Sequence, residues 1–184
     1  MKTNRMTFTG LSSALMLMML LTCSNRLPAQ TAAAKAGNSS GGAKWNVQLD
    51  KVDPGDVNLE PAFRIAIYEN LLDELAKTKR FKQVFRSGDH NASELPNLLI
   101  LKTAVLKYTP GSETRRAVTT VSGATKLNVR SQLCRPDGTV VVENVVEGDV
   151  RFFGGNLRAT HNLARNIASK IKASTLPEAT APDK

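Results

Sequence analysis

The side chains able to do chemistry are few and scattered. His90 sits in a turn-like stretch beside Asp89, and His161 lies among Arg158, Asn162 and Arg165. No HxH or HxxxH spacing pairs them, so a zinc site would have to draw its ligands from distant parts of the chain; a surface role is expected for both. Asp53 and Asp56 flank Pro54-Gly55, but a calcium loop needs several oxygen ligands at fixed steps, so these two read as turn formers. Ser122-Gly123 lacks the GxSxG frame of a hydrolase elbow. Gly154-Gly155 precedes a helical stretch as a phosphate cradle would, yet no GK[ST] follows, which leaves a hinge or cap. No catalytic residue, metal or cofactor is assigned, and the expectation is a protein that is not an enzyme.

The cysteines point elsewhere. Two in 184 residues cannot build a disulfide scaffold. Cys23 follows Leu20-Leu21-Thr22 at the end of an apolar run that begins at Leu11, with Lys2 and Arg5 ahead of it. A basic start followed by an apolar stretch too short to span a bilayer is an export signal. Leu20-Leu21-Thr22-Cys23 resembles a lipoprotein box, which would make Cys23 an acylated N-terminus. Leu27-Pro28-Ala29 before Gln30 offers ordinary signal peptidase a cut instead. Both outcomes stand, and both place the protein outside the cytosol, in the periplasm, at the outer membrane or secreted. In either case Cys134 is left as a lone thiol in a strand-like run, where burial protects it.

Charge comes next. The stretch before Gln30 holds Lys2, Arg5 and Arg26 and no acid, so the formal net charge falls from +9 to +6 on cleavage there. Lys102, Lys107, Arg115, Arg116, Lys126, Arg130 and Arg135 share one stretch with Glu113 as its only acid. Export argues against nucleic acid, and Tyr108 alone makes no stacking ladder. An anionic lipid or glycan, or an envelope protein, is the partner such a surface suits. Arg115, Arg116, Lys126 and Arg130 are the candidate partner or anion-binding face.

The elements that must carry these residues follow from patterning. Residues 1–29 are the leader. Residues 30–44 are small and polar, a tether. Residues 45–174 form the one folded domain, and residues 175–184, with two prolines, should fray. Trp45 to Leu49 alternates as a half-buried strand that ends at Asp53-Pro54-Gly55-Asp56. Pro61 suits a first helical position. From Ala62 to about Arg80, Ile65, Tyr68, Leu72, Leu75 and Ala76, widened by Ile67 and Leu71, make an amphipathic stripe. Phe81 to Phe85 is a short strand with a turn after it. Asn97 to Tyr108 is a long apolar strand for the middle of a sheet. A looser basic segment follows. Lys126 to Cys134 and Thr139 to Phe152 are antiparallel partners across Arg135-Pro136-Asp137-Gly138. Asn156 can cap a last helix with the stripe Thr160, Leu163, Ala164, Ile167, Ala168 and Ile171. The order β-α-β-β-β-β-α predicts an α+β two-layer sandwich, a mainly antiparallel sheet of four or five strands with two helices on one face.

Several of these landmarks together resemble a known group. A helix ending in Leu75-Ala76, then Arg80-Phe81 and Val84, a strand into Tyr108-Thr109-Pro110-Gly111-Ser112 with Arg115-Arg116 after it, the turn Pro136-Asp137-Gly138-Thr139 and the lead Phe153-Gly154-Gly155-Asn156 are similar to the bacterial envelope family called domain of unknown function 4410. The resemblance spans roughly Trp45 to Ile171. It departs where the family tends to be glycine-rich, since Ala117 to Ala124 keeps only Gly123. It implies an exported, often lipidated protein with an α/β fold and brings no activity. Two functions are therefore carried forward: a non-enzymatic binding or assembly module of the envelope, and a periplasmic carrier or sensor of a small apolar ligand held between sheet and helices.

Overall fold

The computed structural model describes residues 45–118, 123–151 and 154–179. Cys23, Ala29 and the tether lie outside the described residues. In chain order the elements are β1 (Trp45–Asp53), α1 (Pro61–Lys77), β2 (Phe81–Phe85), α2 (His90–Ser93), β3 (Leu98–Thr109), α3 (Glu113–Val118), β4 (Thr125–Cys134), β5 (Val140–Val150) and α4 (Arg158–Ala173). The strands form one open sheet in the order β2-β1-β3-β4-β5. This is the α+β sandwich expected.

The longest ladders, β3 with β4 and β4 with β5, are antiparallel, while β1 runs parallel to both β2 and β3. That parallel wing is a crossover unit. α1 carries the chain from β1 to β2 over one face, and the segment from Arg86 to Asn97 returns it past β1 to β3. Val47 and Leu49 are buried toward the helices, so Asn46 and Gln48 point to the opposite face. There Gln48 Nε2 donates to the Arg86 carbonyl at 3.1 Å and Asn46 Nδ2 to the Pro96 carbonyl at 3.2 Å. The return segment therefore lies across β1 on the side away from α1, as right-handed crossovers in both directions require. It includes α2, capped by the Asp89 carboxylate on Asn91 N–H at 3.0 Å.

The two long helices cover the other face. On α4 the residues Thr160, Leu163, Ala164, Ile167, Ala168 and Ile171 are all buried, the stripe that its spacing predicts. On α1 the buried row is Phe63, Ile67, Leu71 and Leu75, one residue in four. Ile65, expected on the buried side, is 64% exposed. The helix is apolar around more than half its circumference, so spacing alone left its rotation open, and packing against both the sheet and α4 selected the Phe63 row. Each fully buried Leu or Ile here contributes roughly 1.5–3 kcal/mol.

α4 reaches the sheet at Gly148. A Cβ there would stand 2.7 Å from the Leu163 Cα, which no side chain tolerates, so glycine lets the helix backbone rest directly on β5. The domain also runs further than residue 174. Trp45 Nε1 donates to the Pro177 carbonyl at 3.2 Å, and Leu176 and Ala179 pack against the core. Residues 175–179 thus belong to the body; an apolar residue and a free carbonyl beside the Trp45 indole outweigh the two prolines.

Candidate functional site

The four cations singled out by sequence do not form one face. Arg116 is buried, 4% exposed, and is removed from the candidate partner surface. It lies on α3, within the segment expected to be loose. Its Nη1 donates to the Gly123 carbonyl at 2.7 Å and to Thr125 Oγ1 at 3.3 Å, and its Nη2 donates to the Gly154 carbonyl and to Asn156 Oδ1, both at 2.9 Å. Thr125 Oγ1 also donates to Asn156 Oδ1 at 2.8 Å. Asn156, expected as a helix cap, spends its side chain on Arg116; Leu157 occupies the cap position, with no side-chain cap bond. Among the described residues only neutral acceptors hold this guanidinium, and its Nε has no partner among them.

This knot ties together the connection after β3, the start of β4 and the lead into α4. Gly111 is pressed into it: a Cβ there would stand 2.6 Å from Arg116 Nη1. Gly123, with φ +96, returns its carbonyl to Ser112 N–H at 3.0 Å and to Arg116. Glu113 Oε1 accepts the Asn156 N–H at 3.1 Å. The landmarks Pro110-Gly111-Ser112, Arg115-Arg116 and Gly154-Gly155-Asn156, far apart in the chain, thus converge on one polar centre. Hydrogen bonds to a charged donor contribute about 1.5–3 kcal/mol each, more when their loss strands buried acceptors. Its chemistry is that of a clamp. Arg115, its neighbour, is exposed on the outer side of α3.

Lys126 and Arg130 are where the alternation of β4 puts them, exposed on the sheet face opposite the helices. β3 brings Lys102 and Lys107 to the same face, Lys107 by way of a bulge between Val105 and Lys107 that turns Tyr108 inward against Phe63, with ring centroids 5.0 Å apart. Sequence reasoning missed the acids. β5 places Glu143 and Glu147 across from them: Lys126 Nζ lies 3.9 Å from Glu147 Oε1, Arg130 Nε 3.5 Å from Glu143 Oε1, and Gln132 Nε2 donates to Glu143 Oε2 at 2.8 Å. The hairpin turn at Pro136-Asp137-Gly138 makes the two strands neighbours, but counting back from it misses the pairing by one residue, because the register shifts between Leu133 and Cys134. Lys107, Thr109, Lys126, Asn128 and Glu147 line a shallow hollow of about 130 Å³ on this face. Lys102 and Lys107 have no ion-pair partner among the described residues.

The other candidates keep quiet places. Cys134 is buried and free, 2% exposed. His90 is exposed and His161 half-buried. Asp53 Oδ1 accepts the Gly55 N–H at 2.9 Å, so this aspartate closes its own turn. Asp137 does likewise, and the Thr139 backbone N–H, at 2.8 Å, holds its carboxyl below the usual range. Among the described residues no three His, Cys, Asp or Glu side chains gather within metal-binding reach, and no helix is long and apolar enough to cross a membrane. The space between sheet and helices, where an apolar ligand would sit, is occupied by Leu49, Ile67, Leu71, Leu99, Leu101, Leu127 and their neighbours.

No protein-family model matches the chain, and no curated protein matches it. Solved structures do. The fold is similar to that of a PelC dodecamer from Paraburkholderia phytofirmans, with a TM-score of 0.51 and 13% identity over 68% of this chain and 86% of that one. A substituted PelC dodecamer from the same organism gives 0.52 and 13% over 72% and 91%. A minor lipoprotein from Acinetobacter baumannii gives 0.44 and 18% over 74% and 98%. At these identities the likeness is one of fold.

Proposed function

We propose that this chain is an exported envelope protein, a non-enzymatic module that binds an anionic envelope component through the uncovered β3–β4–β5 face of its sheet. The observation that carries the reading is the charge of that face. Among the described residues Lys102 and Lys107 stand on it without ion-pair partners, and Lys126 and Arg130 are met by Glu147 and Glu143 at 3.9 and 3.5 Å in solvent, where such pairs hold little energy. The cations occupy the β3–β4 part of the face, with the acids Glu143 and Glu147 confined to β5 beside them, and that solvated basic strip suits an extended acidic glycan or a layer of anionic head groups. The leader supports export, and the short tether keeps the domain near a membrane if Cys23 is acylated. The motif resemblance to domain of unknown function 4410 supports the same setting.

The test is retention of the protein on vesicles with and without anionic lipid, and on an immobilised acidic polysaccharide. The wild type is retained and released by salt, since screening at 0.1 M acts over about 10 Å. The double variant Lys102→Glu, Lys107→Glu loses retention without losing its fold. Unchanged retention overturns the reading. Intact mass of the protein from its host separates an acylated Cys23 from a Gln30 start.

A further inference from the structure

The two edges of the sheet differ in length and charge. β5 is an edge strand, and its outer side is divided. Asn162 Nδ2 donates to the Asp149 carbonyl at 2.7 Å and Asn166 Nδ2 to the Glu147 carbonyl at 2.8 Å. These two α4 asparagines, one turn apart, occupy the outward carbonyls of the far half. In the near half, Ser131 Oγ donates to the Asn144 carbonyl at 3.3 Å, so residue 144 turns its backbone inward to β4. Its neighbours Glu143 and Val145 turn theirs outward. No side chain caps that stretch among the described residues, and Val140 and Val145 are 46% and 57% exposed. The open stretch, Val140 to Val145, is six residues long, with its register to β4 shifting at Val141 and regular from Val142 onward; the other edge strand, β2, is five. Long bare edges invite pairing.

Charge selects the partner. Within the open stretch Val140 to Val145 the one charged residue is Glu143, and within β2 the one charged residue is Lys82; the Arg86 beyond β2 is already paired with Glu69 at 2.6 Å. Two β5 edges brought together would set acid beside acid; a β5 edge and a β2 edge are complementary. β2 and β5 run in the same direction within the sheet, so a small rotation between copies brings them together in parallel.

We propose that copies of this chain associate head to tail, the β2 edge of one copy adding to the Val140–Val145 stretch of β5 in the next. Such a contact is heterologous and extends to a ring or a row. It stands apart from the anion-binding reading, since its variants leave Lys102 and Lys107 in place.

Light scattering and sedimentation over a range of concentrations test it. The processed wild-type chain gives species larger than a dimer that grow with concentration. Val145→Pro removes one outward N–H, is compatible with an edge strand, and leaves a monomer. Lys82→Glu and Glu143→Lys are each monomeric, and mixing the two restores the larger species, because each then offers the edge the other needs. A wild type that is monomeric throughout, a closed dimer indifferent to Lys82→Glu, or a mixture that stays monomeric overturns the proposal. If Val145→Pro fails to fold, the charge pair decides alone.

Discussion

Arg116 and Arg130 come from the same basic stretch and meet opposite fates. Arg130 lies on the uncovered sheet face, in water, facing a glutamate at 3.5 Å. Arg116 lies inside, held by carbonyls and an amide from segments up to forty residues away. Residue type set neither outcome. Strand alternation exposed one, and the meeting of three connections enclosed the other, so one cation is available to a partner and the other fixes the geometry of the end of the domain.

Substitutions can break or sharpen this contrast. The largest effect is expected at Gly148, on which the position of α4 depends. Gly148→Val drives a side chain into the Leu163 backbone and costs more than about 3 kcal/mol, seen as loss of the folded baseline in urea. Arg116→Met keeps the volume but strands the Gly123 and Gly154 carbonyls, lowering stability by about 2–4 kcal/mol. Arg130→Met, its counterpart, changes stability by under about 0.5 kcal/mol; a loss equal to that of Arg116→Met would erase the distinction. The smallest effect concerns pH. The Asp137 carboxyl is lowered by the Thr139 N–H and that of Glu69 by its hydrogen bond to Arg86. A group depressed in the folded state adds stability at neutral pH that disappears as pH falls below the ordinary carboxylate range and through the lowered value. Asp137→Asn keeps the turn acceptor and slightly flattens that acid limb in thermal melts taken across pH.

Much of the fold was legible. Leu127, Val129 and Leu133 alternate cleanly with polar neighbours, and the turn at Asp137-Gly138 sets β4 beside β5, although a one-residue shift between Leu133 and Cys134 decides the final register. The α4 stripe was legible because its other side is polar. α1 was not, since Ile65 and Leu72 offer rival faces. The parallel wing depended on a return path across β1 that no local pattern encodes. The site was less legible still. Asn156 looked like a cap because its spacing to the helix is right, and only the folded chain shows Arg116 competing for its oxygen. The acids that face Lys126 and Arg130 were visible in composition, but not as neighbours until the register of β5 was fixed.

A chain processed at Gln30 would contain Cys134 as its only thiol. Because that sulfur is sealed at the turn end of the hairpin, its rate of reaction with a thiol reagent under native conditions becomes a clock for local opening of β4 from β5. The molecule thus carries its own probe, and that clock should slow whenever something settles on the adjacent edge.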